Sequence, residues 1–105
     1  MTKNNYHILV TGRVQGVGFR FFTHKQAENL HIVGWVRNLS DGRVEVLATC
    51  SESVFSQFKM KIKEGPPRSV VESCEIKKVA GVDTHSDFQI LESSNEPLMF
   101  SKEDL

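Results

Sequence analysis

The chain has 105 residues, of which 25% are charged and 39% apolar, and its thirteen basic and thirteen acidic side chains cancel to zero net charge. That length makes one domain, able to bury a core without metal or disulfide staples, and the balanced charge argues against a general nucleic-acid or membrane-binding surface. No apolar run is long enough to cross a bilayer and no signal peptide is evident, so the cytoplasm is the expected compartment.

Residues 1–5 are polar, and Tyr6 to Arg13 reads as a first strand with Tyr6, Ile8 and Val10 on one face. Leu9 on the other face suggests a central strand. Gly12 to Arg20 (GRVQGVGFR) follows, with three glycines in nine residues. Phe21 to Leu30 reads as a helix whose apolar stripe is Phe22, Ala27 and Leu30. Val33 to Asn38 reads as a second strand. Leu39-Ser40-Asp41-Gly42 is a hairpin turn on the strength of Asp-Gly. Arg43 to Thr49 reads as a third strand, with Val44, Val46 and Ala48 inward, Arg43, Glu45 and Thr49 outward, and Leu47 the exception.

Ser51 or Ser53 can cap a second helix, where Val54, Phe55, Phe58 and Ile62 form one apolar stripe. Gly65-Pro66-Pro67 stops it. Ser69 to Val79 reads as a fourth strand, Gly81 to Asp87 as a polar loop, and Phe88 and Ile90 mark a short last strand. Residues 92–105 carry Glu92, Glu96, Glu103 and Asp104 against Lys102 alone, and are expected to form a mobile acidic tail after a domain of residues 1–91. The order βαββαβ plus a short strand predicts an α+β, ferredoxin-like sandwich: an antiparallel sheet with both helices on one face.

The glycine-rich turn is the first candidate site. It runs from a strand into a helix, whose first N–H groups lack internal acceptors and whose dipole favours anions. Its glycines allow a ligand to approach the backbone. Arg20 adds a planar fork of donors suited to phosphate oxygens. No acid precedes Glu28, whereas Lys3, Arg13, Arg20 and Lys25 do, so the segment is locally positive. The spacing matches neither the Walker pattern nor the dinucleotide fingerprint, and taken alone leaves a phosphate cradle and a plain tight turn as equal readings. Asn38 is the second candidate. Asn is common beside turns for conformational reasons. Here the topology also allows its amide to project beside the cradle, where it can hold a water. Thr23 reads equally as a bond to its own helix and as support for the site. Arg13, Arg37 and Arg43 read as surface charges.

His7, His24, His31 and His85 lack metal-ligand spacing, so no metal is assigned. Phe19, Phe21, Phe22 and Trp35 suit core packing better than base stacking. Cys50 and Cys74 fall on or near strands that the first strand separates. They would then lie roughly 10 Å apart, beyond the roughly 7 Å that a disulfide spans, so free, half-buried thiols are expected.

Taken together, Gly12–Arg20 (GRVQGVGFR), Gly34–Asn38 (GWVRN), Asp41–Val46 (DGRVEV) and Glu64–Pro67 (EGPP), in this order and spacing, resemble the acylphosphatase family from about residue 6 to 91. The resemblance implies a ferredoxin-like sandwich that hydrolyses the carboxyl–phosphate bond of small acyl phosphates without metal or cofactor. It implies Arg20 and Asn38 as the catalytic pair, and Gln15, Gly16, Val17, Gly18, Phe19 and Arg20 as the phosphate-binding segment. Thr23 matches a threonine often found in the family's first helix. Two positions depart from the pattern. His31 stands where a glycine commonly closes the first helix, so it must accept a left-handed cap or reshape the turn. Leu91 replaces an arginine at the end of the last strand.

The competing expectations are a non-catalytic phosphate or acyl-phosphate binding module, an RNA-binding domain on the same scaffold, and a subdomain of a larger maturation protein. The presence of both Arg20 and Asn38 favours the enzyme over the first. The neutral charge and sparse strand aromatics disfavour the second. Free-standing length argues against the third. A monomer without nucleic-acid or membrane partners is expected.

Overall fold

The computed structural model describes residues 2–80, 85–98 and 101–102. The elements run β1 (Asn4–Arg13), α1 (Phe19–Asn29), β2 (Val33–Asn38), β3 (Val44–Cys50), α2 (Glu52–Glu64), β4 (Val70–Ala80), β5 (Phe88–Ile90) and β6 (Ser101–Lys102). The strands form one sheet in the order β5-β2-β3-β1-β4-β6, with β1 central as its two-sided apolar pattern implies. Period-2 alternation sends Tyr6, Ile8, Val10, Val36, Val44, Val46 and Ala48 to one face. There they meet Phe19 and Ala27 of α1 and Phe55, Phe58 and Ile62 of α2 in the main core. Tyr6 and Phe55 stack with ring centroids 3.7 Å apart.

The sheet is mixed rather than wholly antiparallel, because β5 pairs parallel to β2. β4 lies beside β1 near one edge, and the chain must recross to reach β2 at the other. It arrives running opposite to β4, which is the direction of β2. Of the polar loop expected at 81–87, residues 81–84 lie outside the described residues.

Local chemistry explains most element ends. Ser51 caps α2 by accepting the Val54 N–H. α1 starts two residues earlier than its apolar pattern suggests, after Gly18 at φ 80°. Its buried stripe is Phe19, Thr23 and Ala27 rather than Phe22, Ala27 and Leu30. The C-terminus of α1 closes as its sequence requires: His31 takes φ 57°. Its N–H reaches Glu28 O at 3.2 Å while the Ile32 N–H reaches Ala27 O at 2.9 Å, the paired bonds of a Schellman cap.

The second sheet face carries a smaller cluster of Trp35, Leu47 and Val79, against which Leu91 packs. The segment expected to be a mobile acidic tail is bonded to the sheet along its described part. The Ser94 N–H donates to Asn38 O at 3.0 Å and the Ser40 N–H to Ser94 O at 2.9 Å. The Leu98 N–H then donates to the Glu45 carboxylate at 2.9 Å, and β6 pairs with β4 at the opposite edge. Residues 99–100 and 103–105 of this segment lie outside the described residues.

The tail explains why Glu45, expected to face outward, is completely buried. It points away from the helices and lies beneath Leu98. His7 Nε2 is 2.6 Å from one of its oxygens and Arg37 Nε 2.6 Å from the other. Burial alone would raise this carboxyl's pKa, but the hydrogen bonds from His7, Arg37 and the Leu98 N–H outweigh it and hold it below the ordinary value. Arg37 also sits 4.8 Å over the Trp35 ring. It is a half-buried, clamped cation, not the free surface charge its position suggested.

Candidate active site

The β1–α1 turn is pinned at three places. Val14 and Phe19 are both buried in the core at its two ends. Between them the Gln15 amide donates to Leu39 O at 2.7 Å and to Arg43 O at 2.9 Å. Both donors of Gln15 are therefore engaged with the β2–β3 hairpin, and its side chain braces the loop instead of facing a ligand. Gly16 (φ 72°) and Gly18 (φ 80°) hold left-handed conformations, and a Cβ at either would meet open space. The requirement for glycine is conformational, and the space in front of the loop is open.

Gly18 at the N-cap starts α1 without any side-chain capping bond. The first helical bond is Phe22 N–H to Gly18 O at 3.0 Å. The N–H groups at the helix entrance are thus left without intrahelical acceptors, with the positive end of the helix dipole behind them. Starting the helix at Phe19 also places Arg20 in its first turn. Among the described residues no carboxylate or carbonyl takes up the Arg20 guanidinium.

Asn38 reaches the same place from β2. Val36 lies in the main core, and Asn38, two residues on, shares its face at the rim of that core. Its backbone pairs with Val44 of β3. Its side-chain Oδ1 is buried and has no protein partner among the described residues. An orphan acceptor of this kind is costly unless water or a ligand satisfies it.

These groups line one cavity of about 260 Å³, bounded by Val14, Gln15, Gly16, Gly18, Phe19, Arg20, Phe21, Asn38 and Ile90. The sequence-predicted residues come together there with three qualifications. Val17 lines the neighbouring hollow with Arg13 and Arg68. Phe19 turns its ring into the core. Thr23 is buried with its hydroxyl bonded to Phe19 O at 2.9 Å, so it supports the first turn of α1 from within. Arg43 is held by Asp41 at 2.8 Å and stands outside the cavity lining. Phe21 and Ile90 are lining residues that the sequence did not assign to the site; Phe21, expected to pack in the core, is exposed because it falls off the buried stripe of α1. Their signal was weak: an apolar residue at a helix start, and one ending a short strand.

The thiols stand apart, as expected. Cys50 lies on β3 opposite Asn4, and Cys74 lies on β4 opposite Val10, with β1 between them; both are free. Burial pushes the Cys50 thiol up to about 11 and also raises that of Cys74, so neither is a nucleophile at neutral pH. Among the described residues no group of three metal-ligating side chains gathers, and no helix is long and apolar enough to cross a membrane.

Comparison with known proteins identifies the family and the fold. The family model "Acylphosphatase" matches residues 6–90. The acylphosphatase of Bacillus subtilis (strain 168) is 41% identical over 88 residues, covering 84% of this chain and 97% of that protein. The acylphosphatase of Archaeoglobus fulgidus is 43% identical over 83 residues, covering 79% and 92%. The crystal structure of acylphosphatase from Bacillus subtilis superposes with a TM-score of 0.81 at 39% identity, covering 86% of this chain and 99% of that one. With a family match across most of its length and relatives covered almost end to end, the chain belongs to the acylphosphatase family.

Proposed function

We propose that the protein hydrolyses the carboxyl–phosphate bond of acyl phosphates, with water attacking phosphorus and a carboxylate leaving. Written as R–CO–O–PO₃²⁻ + H₂O → R–COO⁻ + H₂PO₄⁻, the reaction breaks the bridging P–O bond and forms a new one to the water oxygen. Both water protons end on the released phosphate, one staying on the incoming oxygen and the other moving to a phosphoryl oxygen. The observation that carries this reading is the pairing, at one cavity, of a guanidinium and a buried amide oxygen that both lack a protein partner among the described residues.

The chemistry asks little else of the protein. The leaving carboxylate is a stable anion at neutral pH and needs no general acid. The transition state is loose, with charge spread over the phosphoryl oxygens, so water needs positioning more than deprotonation. The Gly16–Gly18 segment, the open N–H groups of α1 and Arg20 supply a fixed positive cradle for that charge. Asn38 Oδ1 can accept a hydrogen bond from the attacking water and set its line of approach. In this reading the reaction needs neither metal nor cofactor, because charge and placement account for the task.

We further take residues 1–91 as the catalytic unit, 92–105 as an acidic appendage, and the protein as a cytoplasmic monomer that binds neither nucleic acid nor membranes. The free thiols suit a reducing compartment. A non-catalytic binding module would use the cradle but has no need of an unsatisfied amide at Asn38. The RNA-binding alternative loses support because Trp35 is buried, and because the Leu98 backbone lies against Glu45 on the sheet face such a domain would use. The direct test is phosphate release from benzoyl phosphate in the presence of EDTA. Turnover is expected, and its absence would reject the reading.

A further inference from the structure

We infer that Phe21 and Ile90 form the acyl-group subsite and select acyl phosphates whose acyl portion is apolar and ring-sized. This rests on the proposed hydrolysis and adds the substrate class. The cavity lining is of two chemical kinds. Gly16, Gly18, Arg20 and Asn38 contribute backbone donors, a cation and an amide, and Phe21 and Ile90 contribute only hydrocarbon. Both of the latter are exposed, Phe21 by 67% and Ile90 by 44%. The side chains between them and the core do not require this: Phe21 lies off the buried stripe of α1, and Ile90 comes two residues after the buried Phe88 of β5.

A lone exposed apolar residue is ordinary. Two from different elements at the mouth of a polar cavity describe the binding pattern of a small molecule with one charged and one apolar end. In an acyl phosphate only a bridging oxygen and a carbonyl carbon separate the acyl group from phosphorus. Once the phosphoryl group is seated at Gly18 and Arg20, the acyl group therefore emerges at this mouth. Phe21 directly follows Arg20, and β2 holds Ile90 opposite Val36 in register, two residues from Asn38. An apolar acyl group shields both side chains from water on binding. A small acetyl group covers little of them.

The test compares kcat/KM for benzoyl phosphate and acetyl phosphate in the wild type, Phe21→Ala, Phe21→Leu and Ile90→Ser. Comparing the benzoyl-to-acetyl ratio of each variant with that of the wild type cancels the intrinsic reactivity of the two substrates and any general loss of active enzyme. The ratio is expected to fall about tenfold in Phe21→Ala, the scale of losing a few apolar contacts in a specificity pocket. It should fall several-fold in Ile90→Ser and recover most of the way in Phe21→Leu. An unchanged ratio in both Phe21→Ala and Ile90→Ser overturns the assignment, whatever happens to the absolute rates. Wild-type turnover of both substrates with no such ratio change in the variants overturns the subsite and leaves the hydrolytic reading intact. Protein that turns over neither substrate rejects both.

Discussion

Arg20 and Asn38 do different work and should fail differently. Among the described residues the Arg20 guanidinium opens onto the cavity without a protein partner, so in the proposed reaction it would serve the ligand in both ground and transition states. Arg20→Ala should weaken inorganic phosphate binding and turnover together. Arg20→Lys should recover little, because a point charge cannot reproduce the planar fork. Isothermal titration with phosphate beside benzoyl phosphate kinetics separates the two effects. His31 lies outside the site and tests the backbone alone. A non-glycine residue at φ 57° carries a left-handed penalty of about 1 kcal/mol. His31→Gly removes that penalty while adding chain entropy to the unfolded state. A small net gain in unfolding free energy in urea, with unchanged kcat, is expected.

At the scale of elements, the site exists because one loop and one hairpin are tied together. Gln15 makes the tie through Leu39 O and Arg43 O. Gln15→Ala should cost about 1–2 kcal/mol of stability through the lost bonds. It should also raise KM for benzoyl phosphate several-fold as the cradle loosens relative to Asn38, a split that steady-state kinetics and urea unfolding read together. Much at this scale was legible in the sequence. β2 ran over Val33–Asn38 as its pattern indicated, and the Asp-Gly turn placed Asn38 at a strand end. The start of α1 was not legible, because Phe19 and Arg20 read as loop until Gly18 is seen to adopt a left-handed N-cap. Gln15 was legible as part of the glycine-rich loop but not as a brace, since its acceptors are carbonyls from residues far along the chain.

The whole molecule is organised by a sheet with two unlike faces. Helices cover one, and the described C-terminal segment continues the sheet edge by a bridge at Ser94 and reaches the other face at Leu98, whose N–H bonds Glu45. Periodicity showed Glu45 pointing away from the helices and therefore suggested solvent. What covers it comes from residues 53 positions later, beyond the reach of any local pattern. Its pKa is held down in the folded state from an ordinary 4.5. Glu45 thus contributes stability that is present above that value and lost as pH falls through the depressed one. Thermal unfolding should show Tm falling below about pH 4.5, and Glu45→Gln should flatten that fall while lowering Tm at pH 7. Removing residues 92–105 takes the Leu98 N–H from the same carboxylate and should also lower Tm.

The account stands on Asn38 orienting water at a phosphoryl group that other residues hold. Its most direct test is kcat for benzoyl phosphate in Asn38→Ala, measured beside the inhibition constant of inorganic phosphate in the same variant. The predicted result is a kcat lower by about 10²–10³ with the phosphate constant unchanged within about twofold. A kcat equal to wild type, or a loss of phosphate binding as large as the loss of turnover, would contradict it.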